Sequence, residues 1–191
     1  MTRTTNIMIV GVGGQGSLLA SKLLGRLLLS RGYDVKVSEV HGMSQRGGSV
    51  VTYVRDGQRV YSPVIDQGEA DYILSFELLE AARHAAFLRK GGTIIANSQR
   101  ISPMPVITGA AAYPEALPEK LAAAGIAMDA FDALSLAGQA GSPKAVNLVL
   151  LGRFSRALDF TVEEWLSAIR ESVPEKYRAM NERAFLLGRG A

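Results

Sequence analysis

The chain contains no cysteine. That excludes disulfides, thiolate-ligated iron–sulfur clusters and a cysteine nucleophile within this polypeptide. It has two histidines, His41 and His84, too few and too far apart in sequence for a paired-histidine metal site. No H-E-x-x-H, G-x-S-x-G or Walker loop occurs. No apolar run approaches the roughly 20 residues that span a bilayer. The opening Met1-Thr-Arg-Thr-Thr runs straight into an apolar strand without a signal-type hydrophobic segment. The expected location is the cytoplasm, with no membrane association. Basic runs interleaved with aromatics are also missing, so nucleic acid is not an expected partner.

What is abundant is apolar material and glycine. Of 191 residues, 48 % are hydrophobic and 20 are glycine, enough for one domain with a full core. The net charge of +3 is unevenly spread. Residues 1–60 hold eight Lys or Arg against three Asp or Glu, whereas residues 61–152 hold six against nine. The positive excess therefore sits in the segment with the two glycine-rich stretches, which favours a phosphate-bearing ligand there.

The first of these stretches is Gly11-Val-Gly-Gly-Gln-Gly16. It follows the buried-strand run Asn6–Val10 and precedes leucines at helical spacing from Leu18 to about Arg31, with Ser17 as the expected N-cap and Gly32 as the stop. Gly11, Gly13 and Gly16 fit G-x-G-x-x-G, a turn that aims backbone N–H groups and a helix N-terminus at a phosphate. Gly13, Gly14, Gln15 and Gly16 are the expected backbone donors. The alternative is that the glycines serve only close helix–sheet packing. Glu39, at the end of a second strand (35–38), sits where a ribose-binding acid would sit in a nicotinamide site. The second stretch, Glu39 to Ser49, packs Met43, Ser44, Gln45, Arg46, Gly47 and Gly48 into a polar platform for an anionic or carbonyl-bearing group, Arg46 being its only cation. Its alternative is a loop whose polar side chains cap its own backbone.

The remainder reads as one α/β unit. Further strands are expected over 49–54, 72–76, 93–96 and 126–129, with 59–61 pairing back across Asp56-Gly57. A helix is expected over 77–88, stopped by Gly91-Gly92, and another from Pro114 to about 124. An irregular excursion covers 98–113, and helices continue from Phe131 to the end, broken near Gly141, Asp159 and Pro174. The run Val146–Leu151 reads as a core helix, or as one that partly meets another chain. Trp165, after the acidic first turn Thr161-Val-Glu-Glu, is expected in the core. Strands alternating with helices imply a doubly wound, mostly parallel, Rossmann-like sheet with helices on both faces and a helical C-terminal third. Ligands then collect at the carboxyl ends of the strands.

Gly11–Gly16, Ser38–Ser49 and Ala70-Asp-Tyr-Ile-Leu-Ser-Phe-Glu77 together resemble the gamma module of the 2-oxoacid:ferredoxin oxidoreductases. The likeness continues through Gly91–Asn97, Asn147–Gly152 and Asn181–Phe185, essentially the whole chain as one gamma-type domain over 1–191. Within the family it looks most like the free-standing modules of enzymes that act on aryl pyruvates. The resemblance implies a subunit inactive alone. A larger partner subunit would carry thiamine diphosphate and iron–sulfur clusters, the acyl group would pass to coenzyme A, and electrons would leave through the complex to ferredoxin. It implies no catalytic residue and no metal here, only a wall that completes the active site and helps hold coenzyme A or the thiamine diphosphate. That wall would comprise Gly11, Gly13–Gly16 and Met43–Gly48, with Asn97 and Asn147 as weaker candidates. Two other readings stay open: a self-sufficient nicotinamide-dependent oxidoreductase, and an assembly protein without a ligand.

Overall fold

A computed structural model describes residues 4–41 and 48–191. Its centre is a six-stranded sheet. The chain runs β1 (Thr5–Val12), α1 (Ser17–Ser30), β2 (Asp34–His41), β3 (Ser49–Gly57), β4 (Ala70–Ser75), α2 (Leu78–Arg83), β5 (Leu88–Asn97) and α3 (Met104–Ile107). It continues with α4 (Leu117–Ala123), β6 (Ala127–Phe131), α5 (Ala133–Ala140), α6 (Val146–Phe154), α7 (Val162–Ser172) and α8 (Arg178–Gly190). The strand order is β2-β3-β1-β4-β5-β6. Strands β1, β4, β5 and β6 pair in parallel, while β3 is antiparallel to both its neighbours, β1 and β2. Only β3 therefore runs against the rest.

Alternation along the strands builds two cores. Ile7 and Ile9 of β1 face one side, with Leu74 and Phe76, under α1, α6, α7 and α8. Met8 and Val10 face the other, with Ile73 and Ile94, under α2 and the start of α4. A strand buried on both faces is apolar at every position, which is why Ile-Met-Ile-Val reads as an unbroken run. Helix α6 is buried from Val146 to Gly152 and belongs to the core of this chain. Trp165 is fully buried, with its ring 5.4 Å from that of Phe185. Thr161 and Glu164 form the expected capping box.

Three local expectations fail for physical reasons. Residues 59–61 do not pair back, because β3 is an interior strand whose two edges are already bonded to β1 and β2. The Val60 N–H donates instead to the Asp34 carboxylate at 2.8 Å. Gly91-Gly92 does not stop a helix: α2 ends at Arg83, and both glycines lie inside β5. There the register against β4 shifts between Ala70 and Tyr72. Gly91 takes φ +76, and a Cβ on Gly92 would come within 2.9 Å of the Asp71 carbonyl, so glycine is what the bulge requires. The N-cap of α1 is Gly16, in a left-handed conformation with no side-chain cap, rather than Ser17.

Candidate functional site at the carboxyl edge of the sheet

The connections from β1 through α1 to β2 and from β4 through α2 to β5 leave the sheet in opposite directions, on opposite faces. The reversal falls between β1 and β4, the position where open α/β sheets form a ligand crevice. The glycine turn follows β1 and Phe76–Glu77 follows β4, so both meet there.

The turn is braced from beneath. The Gln15 side chain folds inward, its Oε1 accepting from the Val12 N–H at 2.7 Å and its Nε2 donating to the Phe76 carbonyl at 3.1 Å. Asn97 is fully buried and donates to the same carbonyl at 3.2 Å, while its Oδ1 accepts from the Ala133 N–H. Asn147, at the start of α6, donates to the Gly16 carbonyl at 3.4 Å. A Cβ on Gly11 would strike Gln15 Oε1 at 2.8 Å and Phe76 at 2.9 Å, and one on Gly16 would strike Asn147 at 2.9 Å. At Gly11 and Gly16 the missing Cβ therefore allows the close approach of Gln15, Phe76 and Asn147. Gly14 differs: it is exposed, at φ +98, with no atom within 4 Å of where a Cβ would stand.

The Gly13 N–H donates to the Gly48 carbonyl at 2.9 Å, which ties the glycine turn to the end of the second glycine-rich stretch. The structure thus joins Gly13 and Gly48. Met43, Ser44, Gln45, Arg46 and Gly47 lie outside the described residues. At the start of β3, the Ser49 hydroxyl donates to Glu80 Oε2 at 2.5 Å, and Arg83 donates to Glu80 Oε1 at 3.0 Å.

Three clefts open around the turn. One of about 430 Å³ is lined by Gly13, Gly14, Ser17 and Glu39. One of about 410 Å³ lies between Gly48-Ser49, Glu77, Glu80, Arg83 and the segment around Pro103. The third, of about 510 Å³, is lined by Gly14–Gly16, Gln99, Ile101, Leu134, Lys144 and Val146. Gln99 and Lys144 were not anticipated from sequence; only the fold brings them beside the turn. Glu77 is buried and caps α2. Its carboxylate accepts from the Glu80 N–H at 2.9 Å, the Ile101 N–H at 3.0 Å and the Tyr113 hydroxyl. Burial and this carboxylate push the Tyr113 phenol far above its ordinary pKa.

The start of α1 leaves backbone N–H groups without intrahelical partners. The first intrahelical bond of α1 is made by the Ala20 N–H to Gly16 O, so the preceding N–H groups lie in the unsatisfied first turn. The α1 first turn holds no acidic residue. Among the described residues no group of three or more His, Cys, Asp or Glu could hold a metal ion, and no helix is long and apolar enough to cross a membrane.

Comparison with known proteins agrees with this architecture. Residues 6–191 match the family described as pyruvate ferredoxin/flavodoxin oxidoreductase. The chain is 47 % identical over 188 residues to the indolepyruvate oxidoreductase subunit IorB of Thermococcus kodakarensis, covering 96 % of this chain and 93 % of that one. Its fold is similar to the gamma subunit of a keto/oxoacid ferredoxin oxidoreductase from Geobacter sulfurreducens. The TM-score is 0.70 at 22 % identity, over 96 % of this chain and 95 % of that one. It also matches, over its whole length, 31 % of the 2-oxoglutarate:ferredoxin oxidoreductase of Magnetococcus marinus, a structure with 2-oxoglutarate, coenzyme A and succinyl-CoA bound; the TM-score is 0.72 at 17 % identity. The chain belongs to the pyruvate ferredoxin/flavodoxin oxidoreductase family, as a subunit of a 2-oxoacid:ferredoxin-type oxidoreductase, with the fold seen in a gamma subunit of a keto/oxoacid ferredoxin oxidoreductase.

Proposed function

We propose that this chain, as one gamma-type domain in the cytoplasm, completes the active site of a heteromeric, coenzyme A-dependent 2-oxoacid:ferredoxin oxidoreductase whose substrate is an aryl pyruvate such as indolepyruvate. The observation that supports this most is the bond from the Gly13 N–H to the Gly48 carbonyl. It ties the glycine turn to Gly48, at the end of the second glycine-rich stretch, with Gly14 exposed beside it. Thiamine diphosphate and iron–sulfur clusters, held by a larger partner subunit, supply decarboxylation and electron transfer to ferredoxin.

This chain's residues bind and orient. The N–H groups of Gly14, Gly16 and the first turn of α1 receive phosphate oxygens of coenzyme A or of the cofactor, where the helix field favours negative charge. Arg46, outside the described residues, supplies a fork for a phosphate or carboxylate. Asn97, Gln15 and Asn147 hold the turn rigid through Phe76 and Gly16.

The nicotinamide reading loses ground on topology: β3 separates β2 from β1, whereas a dinucleotide fold pairs those strands directly. Reconstitution tests the proposal. The isolated chain turns over no 2-oxoacid. Mixed with the larger subunit, it restores coenzyme A-dependent reduction of a viologen dye by indolepyruvate or phenylpyruvate. Turnover by this chain alone with added thiamine diphosphate, or full turnover by the larger subunit without it, sinks the proposal.

A further inference from the structure

Glu80, in the first turn of α2, is only 5 % exposed. A carboxylate taken out of water is retained only where partners replace the lost hydration. Here Arg83 Nε donates to Oε1 at 3.0 Å, and the Ser49 hydroxyl donates to Oε2 at 2.5 Å. The His84 ring lies 3.8 Å from Oε2. Arg83 and His84 stand three and four residues further along the same stretch and move with it. Ser49 does not. It opens β3, 31 positions away in sequence, so its bond joins the helix to the strand.

Helix α2 is already seated, by Leu78 and Ala81 in the core and by the Glu77 cap. The strand end is what gains a hold. Ser49 is exposed and is the outermost residue of β3 in its ladder with β1, opposite Val12. Among the described residues β2 pairs with β3 only as far as Val50, so Ser49 has a strand neighbour on one side. The ends of a ladder open most readily. The next backbone bond outward runs from the Gly13 N–H to the Gly48 carbonyl at 2.9 Å. That carbonyl shares a planar peptide unit with the Ser49 nitrogen. Holding Ser49 therefore holds the Gly48 carbonyl, and the carbonyl holds Gly13 beside the exposed Gly14. The Gln15 amide braces the turn from beneath, and the Glu80–Ser49 bond steadies it from the side of α2.

We propose that Glu80 is a positioning residue of the glycine turn: through Ser49 it fixes the Gly48 carbonyl and the Gly13 N–H, and so the direction in which the Gly14 N–H meets the phosphate oxygens of a bound ligand. The inference rests on the phosphate reading of the turn given under Proposed function. The diphosphate concerned is common to coenzyme A and thiamine diphosphate.

Calorimetric titration of the reconstituted complex, prepared free of both ligands, separates these sources. Ser49→Ala removes the hydroxyl from an exposed site. Glu80→Met keeps a side chain of similar length without the acceptor. Each weakens binding of one of the two ligands by about fivefold or more, as for donors no longer held in place before binding. The double variant binds no more weakly than the weaker single variant, because both break one bond. Ser49→Thr restores the hydroxyl and the wild-type affinity, and Ser49→Ala leaves the melting temperature unchanged. Additive losses, wild-type affinity for both ligands in Ser49→Ala, or a fall in its melting temperature that parallels the affinity overturns the assignment. Gly14→Val distinguishes the two levels. If it weakens binding of either ligand while the Ser49 and Glu80 variants do not, only the positioning role is wrong. If none of the variants changes any affinity, the phosphate reading of the turn falls as well.

Discussion

Gly152 of α6 and Gly188 of α8 lie where the two helices touch backbone to backbone. A Cβ on Gly152 would stand 2.0 Å from the Phe185 carbonyl oxygen, and one on Gly188 would stand 2.0 Å from the Val149 carbonyl oxygen. No rotamer relieves a clash between a Cβ and a main chain, so the helices must separate and open the core around Trp165 and Phe185. Gly152→Ala and Gly188→Ala should each cost about 2–4 kcal/mol, read from urea unfolding. Gly190→Ala, on the same helix with nothing within 4 Å, is the control and should leave stability unchanged. Equal stability of all three variants contradicts the close crossing.

The Gln15 amide offers a sharper test of the brace. Gln15→Glu keeps an oxygen for the Val12 N–H but puts a second acceptor against the Phe76 carbonyl. The lost donor and the new repulsion should destabilise the fold by about 2 kcal/mol at neutral pH. A variant as stable as wild type would show that the inward Gln15 orientation is incorrect.

How far these roles are legible in the sequence depends on their range. The strand–turn–helix at the N-terminus is local: an apolar run, glycines at fixed spacing, then leucines at helical period. The same holds for the capping box at Thr161. The direction of β3 is not local. A β-branched strand looks the same in either orientation, and only its two partners fix it. Gly91-Gly92 misleads because a positive φ suits a helix stop and a β-bulge equally well. Gln15, Asn97 and Asn147 stand out as polar residues in glycine-rich or apolar surroundings. Whether they face a ligand or the chain's own carbonyls is decided by Phe76 and Gly16, which packing delivers from elsewhere.

Asp56 gives the protein a pH signature. Burial and the charge of Asp71 raise its carboxyl to about 6, against a hydrogen bond with Thr5 that lowers it. The folded state therefore binds a proton more tightly than the unfolded chain, and this contribution to stability is lost as pH rises through about 6. Glu164 works the other way. Hydrogen bonding to Arg31 holds it at about 2, so its contribution is constant above pH 5. Between pH 5 and 7.5 the wild type should lose roughly 1 kcal/mol relative to Asp56→Asn. Urea midpoints at the two pH values measure this, and parallel profiles for the two proteins would contradict it.

Glu77 clamps residues 98–113 over the sheet edge through the Ile101 N–H and the Tyr113 hydroxyl. Glu77→Gln forces an amide N–H against one of its three donors. It should loosen the segment at a cost of about 2 kcal/mol. Trypsin then cuts after Arg100, exposed on that segment, faster than in wild type at a concentration that leaves the rest intact. An unchanged cleavage rate would mean that the clamp does not hold the segment.

Because β3 re-enters the sheet directly beside β2, the chain between them starts and finishes on paired neighbours, His41 opposite Val50 and Val40 opposite Val51. Its ends stay at cross-strand distance whatever connects them. The connection is therefore an exchangeable cassette: its length and chemistry can change without moving any strand register. Another member of the family could donate its own connection to this scaffold. A graft that keeps Gly48, whose carbonyl accepts from the Gly13 N–H, would leave the glycine turn, the Phe76 brace and the α6–α8 crossing as they are.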